Sequence, residues 1–130
     1  RQMCIRDRYI EFLRECGIQA VLLAPMLLGF DTVRQLARET PWFLMAHPTF
    51  CGSFFHDPGH GVAPEILLGQ FFRGLGCDSV IFPNHGGRFA LSAAECQAIA
   101  TAAHGPSDLW SPAWPAPAGG MTYERIPEMG

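Results

Sequence analysis

From Tyr9 onward the chain alternates two hydrophobic rhythms, short unbroken apolar runs and longer segments with an apolar residue every three or four positions. "YIEFLRECG" sets Ile10, Leu13 and Cys16 at helical spacing and closes on Gly17, a residue suited to a C-terminal cap. "QAVLLAPMLLG" reads as a buried strand and the loop at its exit. Asp31 is placed to cap a helix over "TVRQLARE", with Val33, Leu36 and Ala37 as its apolar stripe. Pro41 ends that helix, and "WFLMA" reads as a strand buried on both faces that delivers His47 and stops at Pro48. Pro64, favoured in a first turn, opens the next helix, with Leu68, Phe71, Phe72 and Leu75 as its apolar stripe and Gly76 as its end. "DSVIFPN" is a third strand. Ser92 and Glu95 stand at capping-box spacing before "AAECQAIATAAH", which stops at His104, Gly105 and Pro106. A Trp- and Pro-rich run, "LWSPAWPAPAGGM", leads to the exit of a last strand.

Strands alternating with helices through short joints predict parallel pairing with right-handed crossovers. Strand starts recur at intervals of about 30 residues, the length of one βα unit. Eight such units need roughly 250 residues, so the pattern predicts an α/β fold amounting to about half of a closed (β/α)8 barrel. "HDPGHG", between the second strand and its helix, is the most irregular stretch and reads as a loop over one face.

Composition narrows the picture. The chain has 130 residues, 48% hydrophobic and 16% charged, with a net charge of −3. Nucleic-acid binders usually carry a basic face to displace counterions, so nucleic acid is a poor partner for this chain. No apolar run approaches the roughly 18 to 20 residues of a membrane span. The five cysteines are odd in number and lack a CxxC, which predicts reduced thiols in a cytoplasm rather than a disulfide frame. The first eight residues, "RQMCIRDR", differ in character from the rest of the chain. Residues 3 to 8 resemble the translation of a transposon-adapter end used in sequencing libraries, so 1–8 is set aside as non-native and 9–130 is taken as the folded segment. On that expectation Cys4 has no role and the natural protein begins upstream.

In a parallel α/β barrel, ligands meet the C-terminal strand ends, where loops converge and helix N-termini point inward. His47, Asn84 with "HGGR", and Gly119 with Gly120 all fall at such ends. His47 could act as acid, base or hydrogen-bond donor, because histidine titrates near neutrality without special help; the plainer alternative is a core histidine bonded to a carbonyl. "NHGGRF" offers two glycines, Asn84 and Arg88, a set able to hold a phosphate or carboxylate, although glycine pairs also simply make tight turns. Gly119 and Gly120 let backbone amides approach an oxyanion. His56 and His60 stand four apart, but Pro58 and Gly59 between them argue against a helix, and solvated loop residues are expected rather than metal ligands.

The segments "FLMAHPTFCGSFF", "GVAPEILLGQFFRGLGCDSVIFPNHGGRF" and "PAPAGGM" resemble the C-terminal barrel of the ribulose-bisphosphate carboxylase large chain, and more closely its non-carboxylating relatives, the RuBisCO-like proteins. The resemblance runs in register from Tyr9 onward and implies barrel strands four to seven. It implies that His47 is the histidine ending strand five, which in the carboxylase contacts substrate and takes part in proton transfer. It implies that Gly119 and Gly120 are the glycines of the strand-seven phosphate loop, with Ala118 in place of its serine. Pro48 stands where the family has a phosphate-binding arginine and Ile81 where it has a strand-six histidine. No counterpart of the mobile-loop lysine is found, with Arg88 nearby in a shorter loop.

Losing an arginine and a histidine from one anion site removes charge-assisted contacts of about 1.5 to 3 kcal/mol each. The resemblance therefore implies a substrate with one phosphate and no CO2 fixation. It implies a lyase or isomerase using Mg²⁺ to stabilise an enediolate-like intermediate. The leading expectation is decarboxylation of a monophosphorylated keto-sugar acid of the 3-oxo-isoapionate 4-phosphate type, with Asn84 and Arg88 meeting the carboxylate. Methylthioribulose-1-phosphate isomerisation or diketo-methylthiopentyl-phosphate enolisation is the alternative. The metal ligands of that chemistry belong to strand two, so no metal ligand is expected in this chain. The 130-residue piece alone is expected to be inactive and to expose apolar edges, and its parent to be a homodimer or larger. A non-catalytic half-barrel that pairs with another chain is the reading from a different class.

Overall fold

The computed structural model describes residues 5–57, 59–87, 91–120 and 122–128. Four short strands, β1 (Ala20–Leu23), β2 (Phe43–Ala46), β3 (Ser79–Pro83) and β4 (Trp114–Ala118), form one parallel sheet in the order β1-β2-β3-β4. The expected half-barrel arrangement is what forms. Helices α1 (Ile5–Glu15), α2 (Pro25–Leu28) and α3 (Phe30–Glu39) occupy the connections at the β1 end. A π-helix, Glu65–Phe71, runs into the turn α4 (Phe72–Gly74) between β2 and β3, and α5 (Ala93–His104) joins β3 to β4.

Local capping behaves as the residue types dictate. After α1, Gly17 adopts φ +68, its N–H donates to the Arg14 carbonyl and that of Ile18 to the Leu13 carbonyl, a Schellman ending only a residue without Cβ makes easily. At α5 the capping box closes in both directions: Ser92 Oγ accepts from the Glu95 N–H, and the Glu95 carboxylate accepts from the Ser92 N–H at 2.7 Å. α1 begins at Ile5, so residues 5–8 of the segment set aside as non-native are helical; residues 1–4, Cys4 among them, lie outside the described residues.

Several expectations are corrected. β1 is not a buried strand: Leu23 is buried, but Leu22 is 62% exposed, because β1 lies at the edge of the sheet with a partner on one side only. β2 is not buried on both faces either, since Leu44 and Ala46 are enclosed while Phe43 is 38% exposed. Cys16 is exposed rather than part of the α1 stripe. α3 starts earlier than Asp31, with Gly29 as N-cap, leaving Asp31 inside the first turn, where its charge still favours the helix N-terminus. In the helix after Pro64, π winding rotates the inward face: Leu67, Leu68, Gly69 and Phe72 are buried, and Phe71 is turned outward against Phe30. A Cβ on Gly69 would lie 2.6 Å from the Ala102 Cβ, so its absence sets how closely the π-helix and α5 approach.

Arg73 is the one buried cation among the described residues. Its guanidinium donates to the carbonyls of Ser111, Trp110, Gly105 and Ala102, at 2.7, 2.7, 2.9 and 3.2 Å. Those four acceptors lie at the end of α5 and along the approach to β4. One side chain therefore ties the segment that delivers β4 to the sheet.

Candidate functional site

Parallel pairing brings the C-terminal ends of β2, β3 and β4 to one edge of the sheet, and the candidate residues follow those ends. The His47 N–H donates to the Leu23 carbonyl at 2.7 Å, extending the β1–β2 ladder by one residue before Pro48 stops it. The chain then turns tightly, with the Cys51 N–H donating to the Pro48 carbonyl at 3.1 Å and Cys51 fully buried. Burial without a charged partner pushes the Cys51 thiol up to about 11, so it is a packing group and not a nucleophile. Within this turn Phe50 has φ +65, the single positive φ outside glycine among the described residues. For a bulky side chain that conformation costs about 1–3 kcal/mol. The ring recovers little of it, being 67% exposed.

An open depression of about 970 Å³ lies over these strand ends, walled by His47, Phe50, Phe55, Ile81, Leu91 and Gly119 among others. The imidazole is exposed at its rim, with Nδ1 at 2.6 Å from Thr49 Oγ1. On the far side, the Asn84 N–H donates to the Ala118 carbonyl at 2.9 Å, linking the loops that leave β3 and β4. A Cβ on Gly87 would stand 3.1 Å from the carbonyl oxygens of both Asn84 and Gly119, so the two glycine-bearing loops abut. Gly119 and Gly120 take φ +89 and +66, which glycine tolerates without strain.

The sequence-derived residues thus divide. His47 and Gly119 share the depression, with Gly120 next in the chain. Asn84 is 4% exposed, engaged within the fold and outside the lining. Arg88 lies outside the described residues. Pro48 and Ile81, in the places of the two absent cations, present apolar surface to the depression. His56 lines the depression, while His60 sits 3.7 Å from Asp57 with both side chains largely in solvent. Glu95 also reaches the lining, but its carboxylate serves the capping box; the Ser92 backbone N–H, followed by the Ser92 hydroxyl, holds its pKa below the ordinary value. Sequence reasoning passed over Thr49 and Phe50. A hydroxyl two residues after a histidine is a usable local signal; nothing in the sequence announces a left-handed phenylalanine.

Among the described residues no three His, Cys, Asp or Glu side chains gather in a way that could hold a metal ion. The Mg²⁺ implied by the resemblance therefore finds no ligand set in them. No helix among the described residues is long and apolar enough to cross a membrane.

No family model matches the chain. Over 114 residues it is 46% identical to 5-methylthioribulose-1-phosphate isomerase of Rhodospirillum rubrum, covering 87% of this chain and 29% of that protein. Over 123 residues it is 37% identical to ribulose bisphosphate carboxylase-like protein 1 of Rhodopseudomonas palustris, covering 94% and 32%. The crystal structure of a Rubisco-like protein from Rhodopseudomonas palustris superposes with a TM-score of 0.84 at 38% identity, over 94% of this chain and 33% of that one. A rubisco-like protein (MtnW) from Alicyclobacillus acidocaldarius also gives 0.84, at 29% identity, over 94% and 31%. The chain spans about a third of the length of the relatives it matches. Its homologues and structural neighbours are RuBisCO-like proteins, and the chain corresponds to a partial-barrel segment of that larger protein.

Proposed function

We propose that the parent protein is a non-carboxylating RuBisCO-like enzyme that generates an enediolate from a monophosphorylated keto-sugar derivative, with His47 moving the proton and Gly119 and Gly120 at the phosphate. The observation that carries this reading is the exposed imidazole of His47 lining the same depression as Gly119. The apolar faces of Pro48 and Ile81 oppose a second phosphate, since a dianion set against them would lose its water without gaining a charged partner. Both reactions considered need one group that gives or takes a proton at carbon. Loss of CO2 from a keto-sugar acid leaves an enediolate that His47 reprotonates; isomerisation requires a proton to leave one carbon and return at its neighbour. Magnesium, when bound by the parent, would stabilise the enediolate charge.

The sugar-acid reading draws its carboxylate contact from Asn84 and Arg88, and Asn84 is closed to the depression. A second reading, methylthioribulose-phosphate-type isomerisation, is favoured by the 46% identity to the Rhodospirillum rubrum isomerase and by the apolar wall of Phe50, Phe55, Ile81 and Leu91, which suits a thioether tail. The test is to incubate the full-length parent in D2O with each substrate class, following deuterium at carbon and release of CO2. His47→Asn is expected to slow turnover by about 10²- to 10⁴-fold. CO2 release selects the first reading and ketose interconversion without it the second; undiminished turnover by the variant overturns the assignment of His47.

A further inference from the structure

Resting on that reading of His47, we propose that Thr49 is a positioning residue that holds the imidazole by Nδ1 and leaves Nε2 as the nitrogen that exchanges the proton. The 2.6 Å approach of Nδ1 to Thr49 Oγ1 is short for a hydrogen bond to a ring nitrogen. Nε2 has no partner among the described residues, and both side chains line the same depression. The turn that brings the hydroxyl back to the ring is fixed at several points. The His47 N–H is bonded to Leu23, Pro48 has a fixed φ, the Cys51 N–H closes on the Pro48 carbonyl, and Cys51 is sealed in the core. Phe50 adopts its left-handed conformation between those anchors with its ring in solvent, so the turn is imposed by the anchors rather than by packing of that ring.

A hydroxyl suits this task because it both donates and accepts. In the neutral tautomer whose single proton is on Nε2, a resting form outside the exchange itself, the Thr49 O–H donates to Nδ1. Proton exchange at Nε2 runs between the imidazolium and the neutral ring that keeps its proton on Nδ1, and in both states that N–H donates to Oγ1. The ring can therefore take up and release a proton at Nε2 without changing its orientation. A carbonyl at this place would accept from Nδ1–H alone and would hold a single neutral tautomer.

Histidine-selective ¹⁵N labelling tests the coupling directly, comparing the protein with Thr49→Val, which keeps the shape, and Thr49→Ser, which keeps the hydroxyl. In Thr49→Val the two His47 nitrogen signals are expected to move to those of freely solvated histidine, while Thr49→Ser retains the parent pattern. Should the valine variant fail to fold by circular dichroism, Thr49→Ala carries the same expectation. In the full-length enzyme Thr49→Val should lower kcat about tenfold with KM within twofold, and Thr49→Ser should restore it. His47 nitrogen signals unchanged by loss of the hydroxyl, or a serine variant as impaired as the valine one, would overturn the proposal. Signals that move as expected in a protein whose turnover survives His47→Asn would leave the Thr49–His47 coupling standing and sink the catalytic reading instead.

Discussion

The two flanks of the sheet are written in similarly apolar sequence and end up in different states. On the β3–β4 flank the π-helix, α4 and α5 enclose Leu68, Phe72, Ile99 and Val80 completely, and the guanidinium of Arg73 is threaded among four carbonyls. On the β1 flank Leu22, Phe12 and Leu27 are 62%, 58% and 60% exposed. Apolar content alone did not decide burial. Cover by a helix decides burial more than place in the sheet: β4 is an edge strand like β1, and on β1 itself Leu23 is buried while Leu22 is exposed. The candidate site spans the two flanks, with His47 on the strand next to the open edge and Gly119 at the end of the strand that Arg73 ties down.

The sharpest way to break this contrast is to remove the buried guanidinium. Arg73→Met keeps the length of the stem and leaves four carbonyls without their donor. Hydrogen bonds to a charged group contribute about 1.5–3 kcal/mol each, and water entering the 105–111 segment will restore part of that, so a loss of about 3 kcal/mol or more is expected. Urea denaturation followed by circular dichroism measures it. A loss below about 1 kcal/mol would mean that the packed flank is held by its apolar contacts alone.

A smaller effect is expected at the start of α5. Ser92→Ala removes the side-chain half of the capping box and should cost about 1 kcal/mol. It also has a pH signature. The Glu95 pKa is lowered in the folded protein, first by the Ser92 backbone N–H and then by its hydroxyl. A carboxyl depressed on folding contributes stability above its unfolded value, about 4.3, and that contribution is lost as pH falls through the lower folded value. The difference between the protein and Ser92→Ala should therefore be full at pH 7 and shrink once the pH drops below about 4. A difference constant from pH 7 to pH 3 would mean that the hydroxyl caps the helix without help from the Glu95 charge.

How legible each feature was in the sequence depends on how local its cause is. The capping box and the Gly17 ending involve residues within one turn of each other, and both could be read directly. So could the placement of His47, since an apolar run stopped by Pro48 in a parallel rhythm has one end available for chemistry. The close approach of Gly69 in the π-helix to Ala102 could not be read, because its partner lies 33 residues later. Arg73 in "FFRGLG" looks like a solvated charge, and its acceptors lie 29 to 38 residues away. The left-handed Phe50 runs against its own residue preference and is explained only by the anchors on either side. The burial of Asn84 could not be read for a related reason, since a polar residue at a strand end carries no local sign of whether it will face solvent or be enclosed.

The least perturbing change bears on the open flank. Leu22→Gln alters a side chain that makes few packed contacts, and it should move unfolding stability by no more than about 0.5 kcal/mol. Its effect should appear in association instead. β1 offers an unpaired backbone edge with Leu22 projecting beside it, the combination that invites another strand or another apolar surface to add on. Light scattering as a function of concentration is expected to show weaker self-association for the glutamine variant than for the unaltered chain. If the variant instead loses stability on the scale of Ser92→Ala, Leu22 contributes packing that its exposure hides, and the distinction between the two flanks is one of degree. If stability and association both stay the same, the exposed leucine is inert and the backbone edge alone governs how this flank meets other molecules.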